Sequence, residues 1–151
     1  GFYTVKVTVT DGAGGSAERE RSLRVRGWRY GNCDEMNTDS VRLGNPGEVT
    51  VQLDLTSFIP SGALVDSGRI NCEFEPDTLE GEDFVVRLVT PSGREILIWD
   101  SRPAYLEIDD EPIPNVTNEP AKGIWKLKIN RVMAGEDGAI EEFALDIYYR
   151  Y

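Results

Sequence analysis

The residues of this 151-residue chain with the clearest potential for chemistry are carboxylates that stand in turns. Residues 134–138 read Ala-Gly-Glu-Asp-Gly and separate two segments of alternating polarity, with Asn130 shortly before them. Glycine tolerates positive φ, so the segment suits a tight hairpin that crowds Glu136 and Asp137 at a strand end. Calcium takes about six to eight oxygen ligands from loops of this kind. The turn is therefore a candidate calcium site.

Other carboxylates stand where strands are expected to begin or end, and they extend the set of candidate ligands. Calcium is the only cofactor that the sequence suggests. The alternative is that each loop is merely an acidic turn that keeps the protein soluble. The predicted metal ligands are Asp83, Asp109, Asp110, Asn130, Glu136 and Asp137.

Catalytic groups in a conventional arrangement are missing from the sequence. The chain contains no histidine, which excludes Ser-His-Asp and Cys-His pairs, and no glycine-rich phosphate loop precedes a helix. Adjacent acids such as Asp109 and Asp110 are usually solvated turn residues rather than a glycosidase pair. The sequence predicts a protein that is not an enzyme.

The charge of the chain excludes one large class of partners. Sixteen lysines and arginines stand against 27 aspartates and glutamates, which gives a net charge of −11. Such a charge repels phosphate backbones, so we expect no nucleic-acid partner. No apolar run approaches the roughly 20 residues that a membrane helix needs, so we expect no membrane span.

Alternating polarity, the pattern of half-buried strands, recurs along the chain, and helical periodicity is absent. Residues 2–10 and 17–26 flank a glycine-rich turn and predict a β-hairpin. Residues 27–47 show little periodicity and are interpreted as a linker that docks Trp28 and Tyr30. The predicted fold class is an all-β, jelly-roll-like antiparallel β-sandwich over residues 48–151. Its strands are expected at 49–55, 69–75, 83–89, 96–99, 124–129 and 143–149.

The N-terminal hairpin, residues 1–26, is too small to bury its apolar face alone. Its sequence, which begins G-F-Y-T-V, resembles the end of a PKD domain. It must dock on the following domain, be the tail of a truncated PKD domain, or be lent to a neighbouring subunit as added strands. In the last case the assembly strand comprises Phe2, Val5, Val7 and Val9.

Three motifs between residues 48 and 149 resemble the P domain of subtilisin-like proprotein convertases and follow that family's order. They are DFVVRLVTPSG at residues 83–93, EIDDE at 107–111, and GIWKLKI at 123–129 with the acidic turn after it. Asn130 and Glu136 stand where the family has aspartate, and Phe143 stands where it has tryptophan. Asparagine and glutamate remain oxygen donors.

The resemblance implies a non-catalytic accessory or adhesion module that is extracellular, either secreted or at the cell surface. Its partner would be a protein, such as a parent protease or a surface protein. The alternative function is a subunit of an extracellular filament, in which identical subunits exchange β-strands. For the accessory module, stabilisation by calcium is a further hypothesis, with merely acidic loops as its alternative.

Two cysteines, Cys33 and Cys72, are the whole thiol inventory, which is too small for a zinc site without histidine. In an extracellular protein a single disulfide between them is the simplest use. The alternative is that they are small, buried, inert side chains.

Surface chemistry suggests two further features. Asn115-Val116-Thr117 is a glycosylation sequon, which in a secreted protein predicts an exposed loop at Asn115. Aromatic residues offer a weaker, carbohydrate-binding alternative through sugar stacking, although core packing is their more common role. The aromatic candidates are Trp28, Tyr30, Trp99 and Tyr105.

Overall fold

The computed structural model describes residues 2–10, 16–24 and 27–151, the first two ranges through their backbone pairing. These residues form β-strands, one short 3-10 helix at Gly81–Asp83 and no α-helix, so the predicted all-β class is confirmed. The strands are β1 Phe2–Thr10, β2 Ser16–Arg24, β3 Tyr30–Asn37, β4 Val41–Arg42, β5 Gly47–Asp54, β6 Leu64–Glu75, β7 Phe84–Val89, β8 Glu95–Asp100, β9 Ile108–Pro112, β10 Ile124–Arg131 and β11 Ala139–Arg150.

Residues 27–151 form a sandwich of two antiparallel sheets. One sheet has the strand order β5-β10-β7-β8. The other has the order β3-β11-β6-β9, and the short strand β4 pairs with β11 beside β3. The core lies between the sheets because each central strand turns alternate apolar side chains inward. On β10 these are Trp125, Leu127 and Ile129, and on β11 they are Phe143, Leu145 and Ile147.

The prediction that residues 27–47 form a linker is wrong. β3 pairs with β11 along its whole length, from Tyr30 opposite Arg150 to Asn37 opposite Phe143. Its buried position is Cys33, while Trp28 and Tyr30 lie exposed. An edge strand that buries one residue lacks the apolar alternation by which strands are predicted. The sandwich therefore begins with β3, well before residue 48.

The predicted N-terminal hairpin is present in the backbone. β1 and β2 pair in unbroken antiparallel register, from Phe2 opposite Arg24 to Thr10 opposite Ser16, and form a two-stranded sheet of their own. The connecting loop, 11–15, and residues 25–26 lie outside the described residues. The resemblance to a PKD domain remains a prediction.

The Pro-Ser-Gly turn between β7 and β8 is tied to a distant loop by one carboxylate. The Glu119 side chain accepts hydrogen bonds from the hydroxyls of Ser92 at 2.5 Å and Thr90 at 3.0 Å. It also accepts one from the Arg94 guanidinium at 3.1 Å. These donors, Ser92 first, lower the pKa of Glu119 below its ordinary value. The Glu119 carboxylate thus links the β7–β8 turn to the loop that precedes β10.

We predict that Glu119→Gln makes the melting temperature of the protein less dependent on pH in the acid range. A carboxylate whose folded pKa is lowered stabilises the fold above its unfolded pKa and loses that contribution as pH falls through the folded value. The wild type should lose more melting temperature than the variant between about pH 5 and pH 3. Glu111→Gln, a substitution of an exposed carboxylate on β9, is the control. Parallel pH profiles of wild type and Glu119→Gln would contradict the assignment.

The predicted disulfide is absent, because Cys33 and Cys72 are both buried and free. Cys33 lies opposite Ile147 and Cys72 opposite Phe143, on the two sides of β11. The two cysteines are separated by two inter-strand spacings across the sheet and by four residues along it. Their Cα atoms are therefore more than about 10 Å apart. A disulfide needs Cα atoms within about 7 Å. The alternative of inert buried thiols is the one that the structure favours.

Both thiols should resist labelling in the folded protein. Burial first, and then the carboxylates of Glu35, Asp34 and Asp146, raise the pKa of Cys33 to about 11. Burial raises the pKa of Cys72 as well. Little thiolate forms at neutral pH, so an aromatic disulfide reagent should titrate two thiols only after denaturation. If neither cysteine reacts in denaturant without a reductant, the result would show that Cys33 and Cys72 form the predicted disulfide.

Candidate functional site: the acidic turn, the groove and the exposed aromatics

The acidic turn after β10 is built around the buried side chain of Arg131. Its side chain is 3% exposed, and the guanidinium lies over the Phe84 ring, 5.1 Å from the centroid. Nη1 donates a hydrogen bond to the Glu136 carbonyl at 2.5 Å, and Nη2 lies 4.0 Å from Asp83 Oδ2. A Cβ at Gly135 would collide with the guanidinium. The Arg131 guanidinium therefore packs directly against this turn.

β10 and β7 bring these groups together. Arg131 lies opposite Phe84 across the β10–β7 ladder, and Asp83 directly precedes Phe84 at the end of the 3-10 helix. The Val132 amide then donates to the Asp83 carbonyl at 2.8 Å. The ladder register thus fixes the distance between the buried carboxylate and the buried guanidinium. Sequence reasoning did not single out Arg131, although it continues the inward-facing row of β10.

The six predicted metal ligands do not converge. Asp83, Glu136 and Asp137 lie around the turn after β10, whereas Asp109 and Asp110 lie on β9 in the other sheet. Among the residues that the structure describes, no three His, Cys, Asp or Glu side chains are arranged to hold a metal ion.

Arginines neutralise several of these carboxylates. Asp110 accepts from Arg69 at 2.7 Å, and Asp137 lies 3.9 Å from Arg42. Asp109, in contrast, has no cationic partner among residues 27–151. Asn130 is half-buried on β10, opposite Val85.

An acidic groove of about 460 Å³ opens where β6 and β9 separate. The register between these strands shifts between Ile70 and Cys72, and the chain then turns back so that the Leu106 amide donates to the Leu79 carbonyl at 2.8 Å. The groove lies between the shifted pairing of β6 with β9 and the hydrogen bond from Leu106 to Leu79. The exposed side chains that line it are Glu73, Asp77, Tyr105, Glu107 and Asp109.

The aromatic candidates for sugar stacking divide between surface and core. Trp28, Tyr30 and Tyr105 are more than half exposed. Trp99 is buried and donates from its indole nitrogen to the Gly81 carbonyl at 2.8 Å, so it has no face for a sugar. Trp28 instead stacks under Arg150, whose guanidinium carbon lies 5.2 Å from the ring centroid.

The predicted glycosylation site lies on an exposed turn. Asn115 adopts a positive φ of 53° and is exposed, and its carbonyl accepts a hydrogen bond from Arg94 at 2.9 Å. The Thr117 hydroxyl donates to the Asp66 carbonyl at 3.1 Å. The position is open to solvent, as a sequon requires, and glycosylation itself remains a prediction.

The chain belongs to the proprotein convertase P-domain family, whose family model matches residues 69–147, more than half of the chain. The match runs from β6 to β11 and includes the turn around Arg131. It bears out the resemblance drawn from the three motifs. No curated protein matches the chain significantly.

Solved structures share the fold at low sequence identity. The serine protease of Aeromonas sobria gives a TM-score of 0.53 at 12% identity, covering 95% of this chain and 36% of that chain. A chain from the complex of this protease with the chaperone ORF2 gives 0.52 at 11% identity, with the same coverage. The structure of FLHE gives 0.55 at 15% identity, covering 83% of this chain and all of the other.

The solved structures differ in how much of their length this chain covers. This chain spans 36% of the length of the two Aeromonas chains, whereas it covers the whole of FLHE. The part of the chain that the structure describes contains no helix long and apolar enough to cross a bilayer.

Proposed function

We propose that the chain is a non-catalytic, extracellular accessory or adhesion module of a larger secreted or cell-surface protein. The observation that carries the proposal is membership of the P-domain family. The chemistry of the chain agrees with it, because the sequence offers no histidine and both thiols are buried with raised pKa values. Its partner would be a protein, in the first place the polypeptide that carries it.

The proposal is tested by detecting the native protein with an antibody raised against this chain. We expect the signal in the medium or at the cell surface, on a polypeptide well above the 16.9 kDa of this chain. The purified chain should hydrolyse neither peptide, ester nor glycoside substrates. A purely intracellular polypeptide of 16.9 kDa would overturn the proposal.

A second candidate is a filament subunit that donates a strand to its neighbour. The observation that favours it is the N-terminal hairpin, which forms a separate two-stranded sheet and leaves one edge of β1 unpaired within the described chain. β1 carries a single charge, at Lys6, and is rich in β-branched residues. Val7→Pro would remove a backbone donor and should abolish assembly, whereas Val7→Thr should preserve it. A purified chain that is monomeric at all concentrations would contradict this candidate.

Calcium stabilisation is a further prediction, supported by acidic residues that have no cationic neighbour within residues 27–151. Asp109 at the groove is such a residue, whereas Arg131 lies beside Asp83. An ion that binds only the folded state raises the melting temperature by mass action, so a chelator should lower it. Asp109→Asn should remove the effect, and Asp137→Asn should leave it. Identical melts with and without chelator would exclude a stabilising calcium ion.

A further inference from the structure

The sandwich has four longer edge strands, β3, β5, β8 and β9, besides the two-residue β4 next to β3. The unpaired backbone groups of edge strands are where an added strand binds. Three of them are poor acceptors. β9 is short and ends at Pro112. β8 is interrupted by a register shift at its pairing with β7. β3 is regular, but its inward-facing row includes Gly31, Glu35 and Asn37, which offer no apolar surface.

Among these four edge strands, β5 alone combines a regular register with an apolar inward-facing row. Its register with β10 is unbroken from Gly47 to Asp54, and the strand contains neither proline nor lysine. Val49, Val51 and Leu53 form its inward-facing row and pack in or against the core. A strand added here with apolar residues at alternate positions would extend the core by one row.

Backbone hydrogen bonds show which groups of β5 face the open edge. The Leu55 amide donates to the Gly123 carbonyl at 2.9 Å, so odd-numbered residues of β5 direct their backbone groups at β10. Thr50 and Gln52 therefore direct theirs outward. The Asn37 side-chain amide donates to the Gln52 carbonyl at 2.8 Å, which agrees with this alternation, so an incoming strand has to displace Asn37 at Gln52. Thr50 presents both its N–H and its C=O to an incoming strand.

β1 has the complementary pattern. Val5, Val7 and Val9 alternate with polar residues over a strand of nine, one residue longer than β5. A two-stranded hairpin is marginal on its own, because its apolar face needs a further layer. We propose that the open edge of β5 accepts β1 of a second copy of this chain, an inference that rests on the strand-donation candidate. The three valines then continue the row of Val49 and Val51.

Proline at an outward-facing position tests this edge without breaking the sheet inside. Thr50→Pro removes the N–H that faces the incoming strand and keeps the β5–β10 ladder. Asn32→Pro is the matched control on β3, where the reciprocal bonds of Arg29 and Tyr151, both 2.9 Å, set the same alternation. Sedimentation and light scattering measure assembly, and thermal melts verify folding. We expect Thr50→Pro to weaken assembly by at least about tenfold and Asn32→Pro to leave it unchanged.

Mixing the variants separates the acceptor from the donor. Thr50→Pro keeps β1 and Val7→Pro keeps β5, so the two variants should form a one-to-one dimer that neither forms alone. Assembly that survives Thr50→Pro but fails in Asn32→Pro would overturn the assignment to β5 and leave strand donation intact. Wild-type protein that stays monomeric, or assembly that survives Val7→Pro, would overturn strand donation and this inference with it.

Discussion

Replacing Arg131 with methionine is expected to lower the free energy of unfolding by about 3 kcal/mol. The substitution keeps most of the side-chain length but removes the charge beside the buried Asp83 carboxylate. It also removes the donor that holds the Glu136 carbonyl and the stacking on Phe84. Breaking a buried pair costs far more than the pair contributes, since the remaining carboxylate is left buried without its partner.

The control for this prediction is Arg42→Met in the same region. Arg42 lies 3.9 Å from Asp137, and both side chains are highly exposed, so the pair is worth at most about 1 kcal/mol. Urea denaturation of both variants measures the contrast. The double variant Arg131→Met with Asp83→Asn should recover part of the loss, because it also removes the stranded charge. Equal midpoints for Arg131→Met and Arg42→Met would show that Arg131 does not hold the turn.

The position of Arg131 shows what strand periodicity can and cannot predict. Trp125, Leu127 and Ile129 occupy alternate positions, and the same period places Arg131 on the core side of β10. Its burial could therefore be read from the sequence. Its partner Asp83 is far away in the chain and approaches only through the register of β10 with β7. That register is tertiary information, so the pair could not be predicted from spacing.

The central strands were predictable for a simple reason: each buries an apolar row. β10 and β11 bury an apolar side chain at about every second residue. The predicted strands 124–129 and 143–149 lie within the observed ones. Edge strands bury less and give a weaker signal. β3 buries only Cys33, and β9 is an acidic segment in which Ile108 is the buried residue. Both were missed as strands for that reason.

The prediction of a disulfide was wrong for a topological reason. Cys33 and Cys72 both point inward, as the alternation of their strands requires, and both were expected to be available for pairing. Strand order decides the matter, because β11 is inserted between β3 and β6. Nothing in the spacing of two cysteines reveals which strand lies between them. The same limit applies to the carboxylates, which the topology divides between two sheets.

Exposed strand edges connect this fold to its proposed functions. An accessory module and a filament subunit both work through protein contacts, and in both cases open edges are the natural places for a partner chain to bind. The sandwich itself supplies the rigid core that positions them. Stability of the core and binding at its edges can therefore be tested separately, by substitutions of buried side chains and of residues whose backbone groups face an open edge.

Trp125 is the residue whose loss should destabilise the core most. It is fully buried at the start of β10, and its indole nitrogen donates to the Ala121 carbonyl at 3.0 Å. Trp125→Ala removes the largest fully buried side chain and leaves a cavity, so we expect a loss of about 4 kcal/mol in the free energy of unfolding. Trp125→Phe keeps part of the volume and should cost about half as much.

The neighbouring residue supplies the control for this last prediction. Ile124 lies on the opposite face of β10 and is 43% exposed, so Ile124→Ala should cost less than about 1 kcal/mol. Urea denaturation followed by tryptophan-independent circular dichroism measures all three variants. The expected order of destabilisation is Trp125→Ala, then Trp125→Phe, then Ile124→Ala. If Ile124→Ala were as costly as Trp125→Ala, the two faces of β10 would be equally buried, which would contradict a core packed against one face of this strand.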